Sequence, residues 1–411
     1  MMTVSSHPTP RIILGIGGGI AAYKVCEVAS TLAKAGNCVI PVLTEQAQQF
    51  VTPLTLATLC RHSAYTDRDF WDARQPRPLH IELGETADLL VLAPLTANTL
   101  SKLTYGLADN LLTNMVLASR CPILLVPAMN TDMWQQQSIQ RNWQQLLTDD
   151  RYHAITPGTG RLACDRVGQG RMAEPAEILA AIDSLLLTHG QRDLAGKHLL
   201  ISAGSTQAYL HPVRFIGNPS TGKMGVALAQ AAIHRGASVT LVHGPMVADY
   251  LSALTDVQRI AVTTAAEMQQ AMVANLPQAD WIVMAAAVAD VQPRDRATEK
   301  LPKAALPDSL PLSPVPDIVA HLSKLKQPTQ TLIGFAAQTG DIEPPALKKL
   351  QTKGLDAIVA NPIDQSNSGF GADTNQAILL SHDGHKHIIS PCSKRYLAHQ
   401  IYDFINSIVP R

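Results

Sequence analysis

Residues 160–172 read GRLACDRVGQGRM. Three glycines at this density predict a mobile loop. Three arginines predict a carboxylate or phosphate guest. Between them stands one thiol, Cys164, which is out of place as simple core packing. A second group, residues 17–22, reads GGGIAA and fits G-x-G-x-x-A between an apolar run and a helical pattern. Backbone N–H groups of Gly17 and Gly19 could hold a phosphate at the helix N-terminus. A dinucleotide site also wants an acidic residue at the end of the next strand. Here that strand ends in Thr44, with Glu45 one step beyond. This places a monophosphate cofactor ahead of NAD, with a ligand-free tight turn as the alternative. Thr96, Asn98 and Thr99 stand beyond another apolar strand, where ligands bind in such sheets; helix capping by Thr96 or Asn98 is the other reading. Asn130 follows the strand ILLV and could donate its amide to a carboxylate, or serve as a turn or cap. His80 lies near a predicted strand start, as a catalytic or a structural histidine.

The second half carries its own set. Residues 217–223, GNPSTGK, fit G-x-x-x-x-G-K and include Asn218. Met224 stands where a Walker A loop needs Ser or Thr, so a phosphate-binding loop of another kind is expected. Asp290 follows the strand WIVMAAA, and Lys300 lies ten residues on. Lys349 and Lys353 are four apart, so a helix puts both on one face. Two cations there suit a triphosphate or form a solvated face. His382, His385 and His387 sit around a predicted hairpin turn at 383–384 and read as solvated rather than as metal ligands.

These residues need elements to position them. Residues 11–16 form an apolar run. Val25, Ala29, Leu32 and Ala33 then repeat at helical spacing, Gly36 stops the helix, and CVIPVLT reads as a strand. The pattern returns at His198 with LLISAG, TGKMGVALAQAAIHRG and ASVTLVHG. Strand, glycine-rich loop, helix and strand, twice over, predict two doubly wound parallel-sheet, Rossmann-like domains. The boundary is expected near residue 190, giving domains 1–190 and 191–411. Residues 291–316 hold six prolines without periodicity and read as a long functional loop.

Composition agrees with two α/β domains. The 411 residues are 46% hydrophobic and 16% charged, with 4% aromatic and a formal net charge of zero. Zero net charge argues against a general nucleic-acid binder. The six cysteines form no C-x-x-C pair, which argues against a zinc ribbon or dithiol motif. The longest apolar runs fall far below the ~20 residues of a membrane span. The expectation is a soluble, cytoplasmic protein with no nucleic acid or membrane as partner.

The first half resembles the flavin-dependent cysteine decarboxylases, specifically the phosphopantothenoylcysteine decarboxylase domain, of flavodoxin-like type. The resemblance rests on GGIAAYK (18–24), FVTPLT (50–55), LHI with His80, AP-x-TANT (93–99), ADNLL (108–112), PAMN with MW (127–134) and LAC with G-x-GRMAEP (162–175). It implies FMN held by Gly17, Gly19, Thr44, Thr96 and Asn98. It implies a flap bearing Cys164 as proton donor, with His80 in proton or carboxylate handling and Asn130 gripping the carboxylate. A bare amino-acid carboxylate cannot lose CO₂, because the electrons have no sink. Oxidation of CH₂–SH to a thioaldehyde creates one, and reduction with a proton from an acid completes the cycle. Three positions depart from the family pattern: Gly17 replaces a hydroxyl residue, Leu95 an alanine and Asp165 a glycine.

The second half resembles phosphopantothenate–cysteine ligase, through PVRFI-x-N-x-S-x-GKMG (212–225), AAAVAD, EK-x-x-K (299–303), PDIV (316–319), GFAA (334–337), KGLD-x-IVAN (353–361) and GFG-x-D-x-N (369–375). The resemblance implies that phosphopantothenate's carboxylate attacks CTP, giving an acyl-cytidylate that cysteine's amine then opens. CTP is thus a co-substrate and Mg²⁺ a cofactor, with no metal ligands assigned. Carried over by position, Ala285, Ala286, Asp290, Lys300, Pro316, Asp317, Ile318, Phe335, Lys349 and Lys353 contact CTP. Asn218 supports conversion of the intermediate, with Lys300 also in the catalytic set. Gln207, Ala208 and His211 replace the family's Arg, Glu and Asp; Val315 and Gln338 replace a common Asn and Glu. The implied partners are 4′-phosphopantothenate, cysteine and CTP. The implied assembly is a homo-oligomer of trimeric decarboxylase units joined through dimeric ligase domains, which permits a dodecamer. The alternatives are a flavin-binding regulatory protein with a vestigial ligase half, and an oxidoreductase with net redox turnover.

Overall fold

The computed structural model describes residues 9–74, 76–161, 165–252, 254, 256–303, 309–365 and 368–409. Cys164 lies outside the described residues. The chain divides into two units, Met1–Gln191 and Arg192–Arg411.

The first unit is built on β1 (Arg11–Ile16), β2 (Cys38–Leu43), β3 (Leu89–Leu95), β4 (Ile123–Pro127) and β5 (Tyr152–Ala154), in the order β2-β1-β3-β4-β5. Every pairing is parallel. Helices cover both faces, so the strands read as unbroken apolar runs, and β3 is buried throughout. Alternate side chains feed different cores. Ile12 and Leu14 pack with Val25, Val28 and Leu32 of the helix Ala22–Lys34. Ile13 and Leu90 pack with Leu112 and Met115 of the helix Leu111–Ala118. Gly36, at φ +89°, follows that first helix, in the left-handed region that glycine enters freely. Beyond the sheet, β6 (Gly158–Arg161) and β7 (Val167–Arg171) form an antiparallel pair.

The second unit carries an eight-stranded sheet. Its parallel part comprises β8 (His198–Ala203), β11 (Ser238–His243), β12 (Gln258–Ala261), β13 (Trp281–Met284), β16 (Thr331–Gln338) and β17 (Ala357–Pro362). Their order is β12-β11-β8-β13-β16-β17, extended by antiparallel β18 (Thr374–Ser381) and β19 (Lys386–Ser393). Taken in chain order, the parallel strands follow the 3-2-1-4-5-6 winding of a dinucleotide fold. Two short antiparallel pairs stand apart: β9 (Gln207–His211) with β10 (Arg214–Gly217), and β14 (Val291–Pro293) with β15 (Leu312–Pro314). The expected long loop at 291–316 thus begins and ends in a paired ribbon. The helix Lys394–Ile408 closes the unit, its fully buried Tyr402 donating to the Leu228 carbonyl at 2.8 Å. No described helix is long and apolar enough to cross a membrane.

Candidate active sites

In the first unit the strand order reverses between β1 and β3, the crevice where such sheets bind ligands. The loop after β1 and the turn after β3 meet there. Gly17 N–H donates to the Pro94 carbonyl at 3.2 Å. A Cβ on Gly17 would stand 2.5 Å from that same oxygen, and one on Gly18 would stand 2.3 Å from Gln46 Cβ. Glycine is therefore imposed at both positions by backbone and neighbour contact. The hydroxyl residue usual at 17 has no room here. Gly19 is different: the nearest atom to its Cβ position is Pro94 Cγ at 4.0 Å. The helix that follows opens at Ala22, with no acidic residue in its first turn and no side chain capping it; its first N–H groups turn back on the loop, Ala22 to the Gly19 carbonyl at 2.9 Å and Lys24 to the Ala21 carbonyl at 3.0 Å.

Thr44 closes the same crevice from β2. It is buried, its hydroxyl donates to the Ile16 carbonyl at 3.3 Å, and it receives the Ala47 N–H at 3.2 Å. Thr96 caps the helix Ala97–Tyr105 by accepting the Thr99 N–H at 3.3 Å. Asn98 is exposed on that helix's first turn. Asn130 caps the short helix Thr131–Trp134, its side-chain oxygen accepting the Asp132 N–H at 2.8 Å. His80 corrects the sequence reading. It is the second residue of the helix Leu79–Thr86, not a strand start. Its ring meets Phe70 edge-on at 5.3 Å between centroids, and its Nδ1 is buried without a hydrogen-bond partner.

In the glycine- and arginine-rich segment, residues 167–171 pack closely on a neighbouring turn. Gly168 and Gly170 are where β7 lies against the Asn130 turn. A Cβ on Gly168 would stand 2.5 Å from Thr131 Oγ1, and one on Gly170 would stand 2.3 Å from the Met129 carbonyl. Met129 N–H donates to the Gly170 carbonyl at 3.0 Å. These glycines allow close approach rather than freedom. The arginines are matched internally: Arg161 with Asp165 at 2.7 Å, Arg166 with Asp132, and Arg171 with Glu174 at 2.8 Å. Asp165 adopts φ +64°, a left-handed conformation that explains the glycine usual there.

In the second unit the switch point lies between β8 and β13. A cavity of about 450 Å³ opens there, a volume suited to a nucleotide-sized guest. Ala285, Ala286, Asp290, Pro316, Asp317, Ile318, Phe335, Lys349, Lys353 and Asn218 all line it. Lys300 is exposed and is not among the lining residues. The residues after β13 are held rigidly. Ala286 N–H donates to Ser202 Oγ at 3.2 Å and Ala289 N–H to Thr206 Oγ1 at 3.0 Å. Asn218 Nδ2 donates to the Val288 carbonyl at 3.1 Å, tying the GNPSTG loop to this turn. Lys349 and Lys353 do share one face of the helix Glu343–Lys353. Lys349 donates to the Phe335 carbonyl at 2.8 Å, and burial pushes its ammonium below the usual lysine range, against the pull of Asp290. Lys353 pairs with Asp317, whose other oxygen caps the helix Ile318–Leu325.

Sequence reasoning left part of this cavity unassigned. Lys223, Lys394, Asn361, Asn375 and the turn at 369–371 also line it. Four lysines and two aspartates, Asp290 and Asp317, thus line the cavity, which leaves its lining cationic. For Lys394 a signal existed. A cation in a helix's first turn opposes the helix dipole, so its position there asks for another reason. The departures at 207–211 fall on β9. Gln207 accepts from Tyr209 Oη at 2.7 Å. His211 is fully buried. Val213 N–H donates to its Nδ1 at 3.2 Å, and Arg214 Nη1 stands 3.0 Å from its Nε2.

Two family models cover the chain: a flavoprotein model over residues 3–187 and the DNA/pantothenate metabolism flavoprotein C-terminal domain over 194–408. The coenzyme A biosynthesis bifunctional protein CoaBC of Bacillus subtilis is 40% identical over 398 residues, covering 97% of each chain. The chain belongs to this bifunctional coenzyme A biosynthesis family. Its counterpart from Vibrio cholerae is 38% identical over 398 residues, 96% of this chain and 98% of that protein. A cysteine/cysteine sulfinic acid decarboxylase from an unknown prokaryotic organism is 41% identical over 333 residues, 80% of this chain and 91% of that protein. Each family model therefore sits on one compact unit and on one strand-order switch point. The regulatory-protein alternative is not favoured, since the relatives across nearly the whole length are named for biosynthetic enzymes.

Proposed function

We propose that the second unit joins cysteine to 4′-phosphopantothenate at the expense of CTP, and that the first decarboxylates the product to 4′-phosphopantetheine with FMN. The observation that carries the ligase reading is the gathering of nine sequence-assigned nucleotide contacts and Asn218 around one cationic cavity. A carboxylate forms an amide only when it first gains a leaving group. Lys349 and Lys353, with Lys223 and Lys394, offset the charge of a triphosphate as that group is made. The Asn218 tether holds the small-residue turn at 285–288 against the mixed anhydride while the amine attacks. Among the described residues no cluster of His, Cys, Asp or Glu stands ready to hold a metal ion. Mg²⁺ bound together with the triphosphate would add its positive charge to that of the lysines. The test is an isotope one. With ¹⁸O in the phosphopantothenate carboxylate, one label must appear in the CMP released; CMP without label overturns the acyl-cytidylate route.

The first unit's crevice fits FMN. Its glycine-lined loop runs directly into the first turn of the helix Ala22–Lys34, and Thr44 and Thr96 bracket it. When bound, the flavin supplies the two-electron oxidation of the substrate's CH₂–SH and its later reversal. The chain's own residues do the rest. Asn130, fixed as a helix cap, presents its amide to the substrate carboxylate. His80, with a buried ring nitrogen to satisfy, holds a proton or a carboxylate oxygen. Cys164 donates the proton that completes the thiol product. Exposed Trp71 (81%) and Leu54 (76%) on this unit support burial against further copies of the chain in a homo-oligomer.

A further inference from the structure

Lys394 is the least expected residue of the ligase cavity. Only 8% exposed, it is the first residue of the helix Lys394–Ile408. That position is unfavourable for a cation twice over, through burial and through the helix dipole. Its hydrogen bonds go to main-chain carbonyls: Gly369 at 3.2 Å and Ala372 at 2.5 Å. Lys223, from the start of the helix Lys223–His234, grips the same turn from the other side. It donates to the Gly371 carbonyl at 3.0 Å and to Asp373 at 2.5 Å. The turn between them needs two left-handed residues, Gly369 at φ +97° and Gly371 at φ +78°. A doubly left-handed glycine turn has little stiffness of its own. Yet Gly369, Phe370 and Gly371 form a wall of the cavity that Phe335, Lys349 and Lys353 share.

We infer that Lys394 is a positioning residue for the ligase reaction: its ammonium clamps the Gly369–Ala372 turn and so fixes that wall for the nucleotide. The inference rests on the functional reading above for its link to CTP, and on geometry alone for the clamp. The charge matters as well as the donors. Burial and the neighbouring Lys223 both push the Lys394 ammonium down from its ordinary range, while Asp373 opposes them. A neutral donor could bond two carbonyls at lower cost. A cation is worth its burial where an anion later shares the cavity, because the bound phosphates relieve the repulsion between the two lysines.

The experiment uses the full-length chain as wild type, Lys394→Met and Lys394→Arg. Loss of a charged hydrogen-bond donor predicts that Lys394→Met raises the KM for CTP by about tenfold or more, with a smaller change in the KM for cysteine. Lys394→Arg should recover most of that loss. Decarboxylation of supplied phosphopantothenoylcysteine by the first unit should match wild type, which reports that the chain is folded. A folded Lys394→Met with wild-type KM for CTP overturns the inference. So does an equal loss in Lys394→Arg and Lys394→Met. Hydrogen–deuterium exchange of the peptide spanning 368–376, without substrates, tests the clamp by itself. Faster exchange confined to this peptide in Lys394→Met supports it, and unchanged exchange overturns it. If wild type shows no CTP-dependent ligation, the functional reading fails, and the exchange result still decides the clamp.

Discussion

Replacing Gly17 with serine installs the hydroxyl usual in this family, and the structure predicts that it does harm. The serine Cβ would stand 2.5 Å from the Pro94 carbonyl oxygen and 3.0 Å from Thr96 Cγ2. The first of these is backbone and cannot rotate away. Relief requires the loop after β1 to move off β3, which breaks the Gly17–Pro94 hydrogen bond of 3.2 Å. Overpacking of about 1–3 kcal/mol plus about 1 kcal/mol for the bond gives about 2–4 kcal/mol, or roughly 30- to 1000-fold in flavin affinity. The assay is a fluorescence titration of the apoprotein with FMN, with the thermal midpoint measured alongside. Gly19→Ala is the companion variant. Its Cβ meets nothing nearer than Pro94 Cγ at 4.0 Å, so its loss should be far smaller. If Gly17→Ser binds FMN as tightly as wild type and melts at the same temperature, the steric reasoning is wrong.

Other substitutions probe the remaining departures and the frame. An imidazole always carries hydrogen on at least one ring nitrogen, yet His211 faces donors at both. His211→Asp supplies two acceptors and should stabilise the second unit by about 1 kcal/mol or more in urea unfolding. Asp165→Gly removes the left-handed strain of φ +64° but also the ion pair with Arg161. Because that pair is exposed and worth little, a net gain of about 0.5–1 kcal/mol in thermal stability is expected. Arg235 is 3% exposed and is held by Asp193 and by Asp403 at 2.8 Å. Asp193→Asn should therefore cost the second unit about 3 kcal/mol in denaturant midpoint measurements. Burial, with the charge of Arg235 adding to it, pushes His399 down from its ordinary 6.5 to about 3. The unfolded chain binds the proton first, so this stability is full above about pH 6.5 and falls by about 1.4 kcal/mol per unit toward pH 3. Unfolding curves between pH 7 and pH 4 should show that slope in wild type and a flatter one in His399→Gln.

Much of this architecture is written locally. Val25, Ala29 and Leu32 announce a helix, Gly36 its end, and Lys349 with Lys353 a shared face, because each depends only on neighbours within a turn or two. What the sequence hid depends on contacts across long separations. Gly168 and Gly170 read as mobility, whereas their lack of side chains serves Met129 and Thr131, some forty residues earlier. The arginines beside Cys164 read as ligand-binding, and the exposed carboxylates that pair with them, Asp132 and Glu174, were not legible from the segment itself. Lys394 stands out locally as a cation in a helix's first turn, but its role is not local: its partners lie at 369 and 372 and its cavity neighbours at 223 and 349. His80 was misplaced because a single histidine in LHIEL fits a short helix and a strand equally well.

Both units are read as catalytic, acting in sequence on small molecules. Mass spectrometry can follow this in a single reaction containing the purified FMN-loaded protein, 4′-phosphopantothenate, cysteine, CTP and Mg²⁺. The expected product is 4′-phosphopantetheine, with CMP and pyrophosphate formed in equal amounts and no external reductant consumed. Absence of both 4′-phosphopantothenoylcysteine and 4′-phosphopantetheine, from a protein that still decarboxylates supplied 4′-phosphopantothenoylcysteine, would contradict it at the second unit's cavity.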